Sequence, residues 1–274
     1  MTAEAAQDGP GAHAAHPASA VVTGAAVGIG RGIAECLLAD GLTVVGLDRD
    51  RAALEVAAAE LGDAFAPCVG DIGIWADHER AADLAEERGR LVGWVNNAGI
   101  DWVAGAHEAD QEHIDRGLAV LLHGPMYGAA VAVRRMAATG GGSIVNVASI
   151  QGVATFPRYY VYGSAKAGLL QATRSIAVDY APHRIRCNAI LPGTIETPMT
   201  DTTLPPELDR DEALRREGEL SPMNRIGQPR EIGEVAAFLI SDRASYLTGA
   251  EIPVDGGATA RCFRYPEIDI DGGG

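Results

Sequence analysis

Residues 20–30 read Ala-Val-Val-Thr-Gly-Ala-Ala-Val-Gly-Ile-Gly, and a helical pattern follows from about Arg31 to Ala39. A short apolar strand runs into three glycines and then into a helix. Glycine is needed at such a turn because the backbone must reverse tightly and leave room for a bulky anion. The helix that follows offers free N–H groups and the positive end of its dipole to that anion. A glycine-rich turn alone is weak evidence; the strand before it and the helix after it make the dinucleotide reading specific. Gly24, Val27, Gly28 and Ile29 are therefore the expected phosphate cradle.

Working outward, the same alternation repeats. Strands are expected at Thr43–Leu47, Phe65–Val69, Leu91–Val95, Ser143–Ala148, Ile185–Ile190 and Ile252–Val254. Helices are expected at Arg51–Leu61, Ala76–Arg88, Glu112–Ala138, Tyr159–Tyr180 and Arg230–Ile240. Strand–helix alternation with right-handed crossovers implies an α/β fold, a doubly wound Rossmann-like parallel sheet with helices on both faces. No linker interrupts residues 19–258, which read as one dinucleotide-binding catalytic domain between a disordered N-terminal tail (1–18) and a C-terminal tail (259–274). Thr194–Ser221 breaks the alternation. It is polar, carries Pro198, Pro205 and Pro206, and has the length of a lid rather than of an ordinary connection.

Composition narrows the function. The formal charge of −15 opposes nucleic acid and anionic lipid, since an acidic surface repels phosphate at long range. No stretch has the ~18 uninterrupted apolar residues of a membrane span, and the start lacks the basic and apolar runs of a signal peptide. The expectation is a cytoplasmic protein with a small-molecule substrate. Cys36, Cys68, Cys187 and Cys262 show no Cys-x-x-Cys or zinc spacing and read as buried small hydrophobes, with no metal site. His13 and His16 read as solvated tail residues.

Asp48 ends the second strand, 18 residues after Gly30. A carboxylate there accepts hydrogen bonds from ribose hydroxyls and repels a 2′-phosphate. With Val27, rather than a basic residue, inside the glycine loop, this favours NAD over NADP; Arg49 is the opposing feature. The bland alternative for Asp48 is a solvated strand end or the cap of the next helix. Strand three ends in Gly70-Asp71-Ile72 and strand four in Asn96-Asn97-Ala98-Gly99. Each alone suits an ordinary turn. Together, at the carboxyl edge of the sheet, Asp71, Ile72, Asn97, Ala98 and Gly99 outline a nucleotide cleft.

The chain's only lysine, Lys166, lies four residues after Tyr162, so both share one helical face. With 7 tyrosines in 274 residues, chance places a tyrosine there roughly 3% of the time, and the match remains a hypothesis until the context supports it. A phenol is a poor base, with a reference pKa of ~10; a neighbouring ammonium would stabilise the phenolate and ease proton transfer. Lysine could also hold ribose hydroxyls. The alternative is a surface pair with Tyr162 half buried; Tyr159 and Tyr160 read as packing residues. Ser149, 13 residues before Tyr162 at the end of strand five, completes a donor pair for a carbonyl that becomes an alkoxide.

Over residues 19–258 the chain resembles the short-chain dehydrogenases/reductases with a Thr-Gly-x-x-x-Gly-x-Gly loop. Thr23–Gly30, Asp48, Asp71, Asn97-Ala98-Gly99, Ser149, Tyr162-Gly-Ser-Ala-Lys166 and Pro192-Gly193-Thr194-Ile195-Glu196-Thr197 carry the resemblance. It implies NAD(P)-dependent oxidation of an alcohol or reduction of a ketone, with Ser149, Tyr162 and Lys166 catalytic. It implies that Ile195 and Thr197 meet the nicotinamide carboxamide and phosphates, that residues 194–220 close over substrate, and that the protein is a homotetramer. One position departs: where the family has an asparagine in the long fourth helix, spacing places Leu121. Its side chain cannot hold a relay water, although its backbone carbonyl can. His123 points off that face.

Substrate walls are expected from Gln151, Val153, Phe156, Tyr159 and the 194–220 segment, with Ser149, Gln151 and Tyr162 touching substrate. No cationic cluster awaits a phosphate or carboxylate, and Arg158 reads as solvated. A secondary alcohol or ketone of modest size fits. The competing readings are a 3-oxoacyl-thioester reductase, which the acidic balance disfavours because an acidic carrier needs a basic patch, and a catalytically silent dinucleotide binder. The tail Arg261-Cys262-Phe263-Arg264-Tyr265-Pro266 suits packing on a neighbouring subunit or over the pocket.

Overall fold

The computed structural model describes residues 17–261. Seven parallel strands form one sheet in the order β3-β2-β1-β4-β5-β6-β7: β1 Ala18–Thr23, β2 Thr43–Asp48, β3 Phe65–Val69, β4 Arg90–Asn96, β5 Gly142–Val147, β6 Ile185–Pro192 and β7 Glu251–Val254. The order reverses between β1 and β4, which opens a crevice at the carboxyl edge, where ligands of such sheets bind. β1 starts earlier than its apolar run suggests. Ala18, assigned to the tail on sequence, is already a strand residue, and Pro17 O accepts from Arg90 N at 2.8 Å. The remaining tail assignments, including His13, His16 and Cys262, lie outside the described residues.

Alternate side chains leave opposite faces of each strand. Ala20 and Val22 pack with Ile33 and Leu37 of α1 (Gly28–Ala39), Leu54 of α2 (Arg51–Leu61) and Ile232 and Leu239 of α9 (Pro229–Ile240). Val21 packs on the other face with Ala81 of α3 (Trp75–Arg88), Met136 of α5 (Gly124–Ala138) and Ala177 of α6 (Tyr160–Tyr180). Small residues dominate both layers, as the low aromatic content requires. Cys36, Cys68 and Cys187 are free and buried within them.

Two regions differ from the sequence reading. The expected helix 112–138 is helical throughout but not regular: α4 (Gln111–Leu118) passes through a π turn, Ala119–His123, into α5. Gly124 N donates to Ala119 O, five residues back. The segment after β6 is more ordered than its prolines suggest. Pro198 opens the short α7 (Pro198–Asp201), capped by Thr197, and α8 (Arg210–Gly218) is capped by Asp209. Proline is compatible with a helix's first turn, where its missing N–H has no partner to lose. No helix among the described residues is long and apolar enough to cross a membrane.

Candidate active site

The first turn of the site is built by exclusion of side chains. A Cβ on Gly30 would fall 2.0 Å from Gly24 O and 2.5 Å from Asn97 Nδ2. Gly24 sits at φ +67, and its Cβ would meet Ala98 Cα at 2.8 Å. Thr23 explains why the two strand ends hold register. Its hydroxyl accepts from Asn97 N at 2.9 Å and Ala98 N at 3.0 Å, while Asn97 Nδ2 donates to Thr23 O at 2.9 Å. Val27 caps α1 without any side-chain bond, so the helix's first N–H groups face the crevice.

Asp48 does not cap the next helix; Asp50 does, accepting from Ala53 N at 3.0 Å. Asp48 instead accepts from Ala26 N at 3.1 Å and from Asp50 N at 3.0 Å, which ties the glycine loop to the end of β2. Asp71 Oδ1 accepts from Gly73 N at 2.8 Å. Beneath it, Ile72 O contacts the ring nitrogen Nε2 of the fully buried His78 at 2.7 Å. Burial lowers the His78 pKa below its ordinary value, so the imidazole is held neutral.

At the other end, Ser149 leaves β5 in extended conformation and accepts from Gln151 N at 3.1 Å. Its hydroxyl faces the same cavity as the Tyr162 phenol and lowers the phenol's pKa. Lys166, buried one helical turn along, donates from Nζ to Val147 O at 2.9 Å and lies 5.6 Å from the Tyr162 ring centroid. One ammonium donor is thereby used and two remain. Burial pushes the Tyr162 phenol up to about 12 and the Lys166 ammonium down to about 8. The expected lowering of the phenol by the ammonium is not expressed in this geometry; the Ser149 hydrogen bond is the one influence that lowers it.

The catalytic, cofactor-binding and substrate-contacting residues expected from sequence line one cavity of about 620 Å³: Gly24, Val27, Gly28, Ile29, Asp48, Asp71, Ile72, Asn97, Ala98, Gly99, Ser149, Gln151, Tyr162, Lys166, Ile195 and Thr197. Phe156 and Tyr159 share its wall, whereas Val153 lines an adjoining chamber. Tyr159 stands in the wall, as the substrate-side reading expects, and Tyr160 is half exposed rather than packed. Arg158 lies outside, exposed and paired with Glu108 at 2.8 Å. His123 is exposed. Leu121 is fully buried on the cavity wall within the π turn, 3.6 Å from where a Cβ on Gly99 would stand. Sequence reasoning did not pick out Asp101 and Glu217, which line the same cavity. Asp101 lies just beyond β4 on the carboxyl edge, and that position was the available signal.

The residues present fit a dinucleotide: a cradle that a single Cβ would fill, free N–H groups at a helix start and a carboxylate at the second strand's end. No group of three or more His, Cys, Asp or Glu placed to hold a metal occurs among the described residues.

Comparison with known proteins agrees with this geometry. The family model adh_short_C2, described as Enoyl-(Acyl carrier protein) reductase, matches residues 24–259. The chain is 38% identical over 250 residues to a 2-(R)-hydroxypropyl-CoM dehydrogenase of Xanthobacter autotrophicus, covering 88% of this chain and 98% of that protein. It is 40% identical over 251 residues to a cis-4-hydroxycyclohexanecarboxylate dehydrogenase of Sinomonas cyclohexanicum, covering 88% and 96%. Among solved structures, ligand-free aldohexose dehydrogenase of Thermoplasma acidophilum superposes with a TM-score of 0.83 at 32% identity, covering 92% and 98%.

Proposed function

The chain belongs to the short-chain dehydrogenase/reductase family, and on that premise we propose that it transfers a hydride between NAD(H) and a secondary alcohol or ketone of modest size. The family's enzymes are NAD(P)-dependent and act on CH–OH groups; NAD, the substrate and the residue roles are our reading. The observation that carries it is that Ser149 and Tyr162, with buried Lys166 behind them, line the same cavity as the glycine loop.

Gly24, Val27, Gly28, Ile29, Asp71, Ile72, Asn97, Ala98 and Gly99 would bind the dinucleotide, with Ile195 and Thr197 at its nicotinamide end. When bound, the nicotinamide ring accepts or supplies the hydride. Ser149 and Tyr162 hold the substrate oxygen with two hydroxyls aimed at one point. In reduction Tyr162, neutral because burial raises its pKa, delivers its proton to the forming alkoxide. In oxidation the phenolate takes the carbinol proton, and the Lys166 ammonium stabilises it once both face a bound ligand. Asp48 at the end of β2 supports NAD, because a 2′-phosphate would meet its negative charge.

A 3-ketoacyl-(acyl-carrier-protein) reductase among the similar solved structures keeps the 3-oxoacyl thioester as the alternative, whereas the curated relatives' names include a hydroxycyclohexanecarboxylate dehydrogenase and a galactitol 2-dehydrogenase, which supports an alcohol substrate. The −15 charge weighs the same way, since an acidic carrier would be repelled. We take 19–258 as one catalytic unit of a cytoplasmic homotetramer. The test is a panel of secondary alcohols with NAD, followed by reduced-nicotinamide absorbance. Turnover of at least one alcohol is expected. NAD binding without turnover of any alcohol or ketone would replace this reading with that of a silent dinucleotide binder.

A further inference from the structure

The cavity wall beside Tyr162 carries hydrogen-bond acceptors that hydride transfer leaves unused. Residues 101–104 are clamped to the start of α6 by a bridge between Ala104 and Tyr159 and by Tyr160 N donating to Ala104 O at 3.3 Å. The clamp brings Asp101 onto the same cavity wall as Tyr159. The Tyr159 ring meets the Tyr162 ring edge-on at 5.6 Å. Asp101 Oδ1 also accepts from Trp102 N at 2.9 Å. An ionised carboxylate has about four acceptor positions, so about three remain for a ligand.

Gln151 supplies the second acceptor. It follows the Ser149 turn, lines the same cavity, and its Oε1 is buried with no partner among the described residues. Buried polar atoms without partners are rare in folded proteins, and this one belongs to a residue that lines the cavity.

Charge points the same way. Glu217 adds a second carboxyl side chain to this wall. Lys166 is turned to Val147 O behind Tyr162, and Arg49 lies beside Asp48 at the opposite end. In the adjoining chamber Arg225 is paired with Glu231 at 2.6 Å, and Arg261 donates to Leu220 O at 2.7 Å. No cation among the described residues of the substrate wall is placed to receive an anion.

We propose that Asp101 and Gln151 determine specificity by accepting hydrogen bonds from a second hydroxyl beside the reacting carbinol, so that the substrate is an uncharged vicinal diol or polyol and anionic alcohols are disfavoured. The proposal rests on the hydride-transfer reading. In the oxidation the carbinol C–H bond breaks with its electron pair passing to NAD, the O–H proton passes to Tyr162, and the C=O bond forms. The neighbouring hydroxyl is unchanged, and the product is an α-hydroxyketone.

The test measures kcat/KM with NAD for cyclohexanol, cis- and trans-1,2-cyclohexanediol, and 4-hydroxycyclohexanecarboxylate, using the full chain and its Asp101→Ala, Asp101→Asn and Gln151→Ala variants. At least one diol should exceed cyclohexanol by about tenfold, as in sites built to bond a substrate hydroxyl. The carboxylate should fall below cyclohexanol by about tenfold, from repulsion at close range. Asp101→Ala and Gln151→Ala should each pull the diol-to-cyclohexanol ratio towards one. Asp101→Asn, which keeps an acceptor but loses the charge, should retain most of the diol preference and raise the carboxylate relative to cyclohexanol. A purely structural role would lower all substrates alike and leave the ratios in place, and that result overturns the proposal. So does a wild-type diol-to-cyclohexanol ratio near one, a result independent of whether any variant folds. Cyclohexanol turnover without diol preference sinks this proposal alone, whereas no turnover of any alcohol or ketone sinks the hydride-transfer reading beneath it.

Discussion

The two ends of the cavity are built on different principles. The nucleotide end is made of main chain and of positions that exclude a side chain: Gly24 and Gly30 have no room for a Cβ, and Thr23, Asn97 and Asp48 spend their polar atoms on tying strand ends together. The substrate end is made of side chains from distant elements, Asp101 beyond β4, Ser149 and Gln151 beyond β5, Tyr159 and Tyr162 at the start of α6, and Glu217 from α8. There one buried acceptor, Gln151 Oε1, is left without a partner. A steric specification fails when it is violated, whereas an electrostatic one shifts what is preferred. Mutations at the first end should weaken cofactor binding, and most at the second should change selectivity.

The exception within the substrate end should be Tyr162, the proposed carrier of the proton. Tyr162→Phe should lower kcat by about a thousandfold while NAD binding by calorimetry persists; activity within tenfold of wild type would remove the phenol from the reaction. At the nucleotide end, Gly30→Ala drives a methyl into Gly24 O and Asn97 Nδ2. NAD affinity should fall by about a hundredfold and the melting temperature should drop, since the loop has to distort. Wild-type affinity would show that the loop is softer than its contacts imply.

Asp48→Ala tests charge rather than space. NAD should bind about tenfold more weakly, and discrimination against NADP should relax. Unchanged affinities for both would leave Asp48 only its role as a strap on the glycine loop. Leu121→Asn places an amide inside the π turn. A stability loss of about 1–3 kcal/mol is expected from burying it without a designed partner, together with a displaced pH–rate profile if a relay passes here. An unmoved profile would mean that backbone and water suffice.

The smallest effect concerns the floor of the nucleotide end. His78 is buried neutral, with a pKa below its unfolded value of about 6.5. Below pH 6.5 the unfolded chain binds a proton that the folded chain resists. Its contribution to stability is therefore intact above that pH and is lost as pH falls towards the folded pKa. Denaturant melts should show His78→Gln with a flatter fall in stability below pH 6.5 than wild type; identical slopes would put the acid sensitivity elsewhere.

Much of this site was legible in the sequence because its signals are local. A strand, three glycines and a helix state a steric requirement within eleven residues, and Tyr162 and Lys166 are joined by helical periodicity alone. The ends of β2, β3 and β4 could be aligned on paper because parallel strands deliver their carboxyl ends to one edge. Asp101 was not legible. Two residues past Gly99, it reads as an ordinary loop carboxylate until the Ala104–Tyr159 bridge brings it to Tyr162. Helices α7 and α8 were hidden by prolines that open or flank a helix as readily as they prevent one. The π turn left no trace, because its extra residue preserves the apolar pattern on either side.

By itself, then, the sequence determined the α/β alternation, the carboxyl-edge location of the site, the glycine cradle and the Ser149–Tyr162–Lys166 set. Each is set by periodicity or by sterics within a short span. Only the tertiary structure decided that burial raises the Tyr162 phenol and lowers the Lys166 ammonium, and that Lys166 is turned to Val147 O. It alone decided that Asp101 and Glu217 share the cavity wall with Tyr162. Desolvation and through-space charge depend on what surrounds a group in three dimensions, and residues separated by sixty positions in the chain supply those surroundings here.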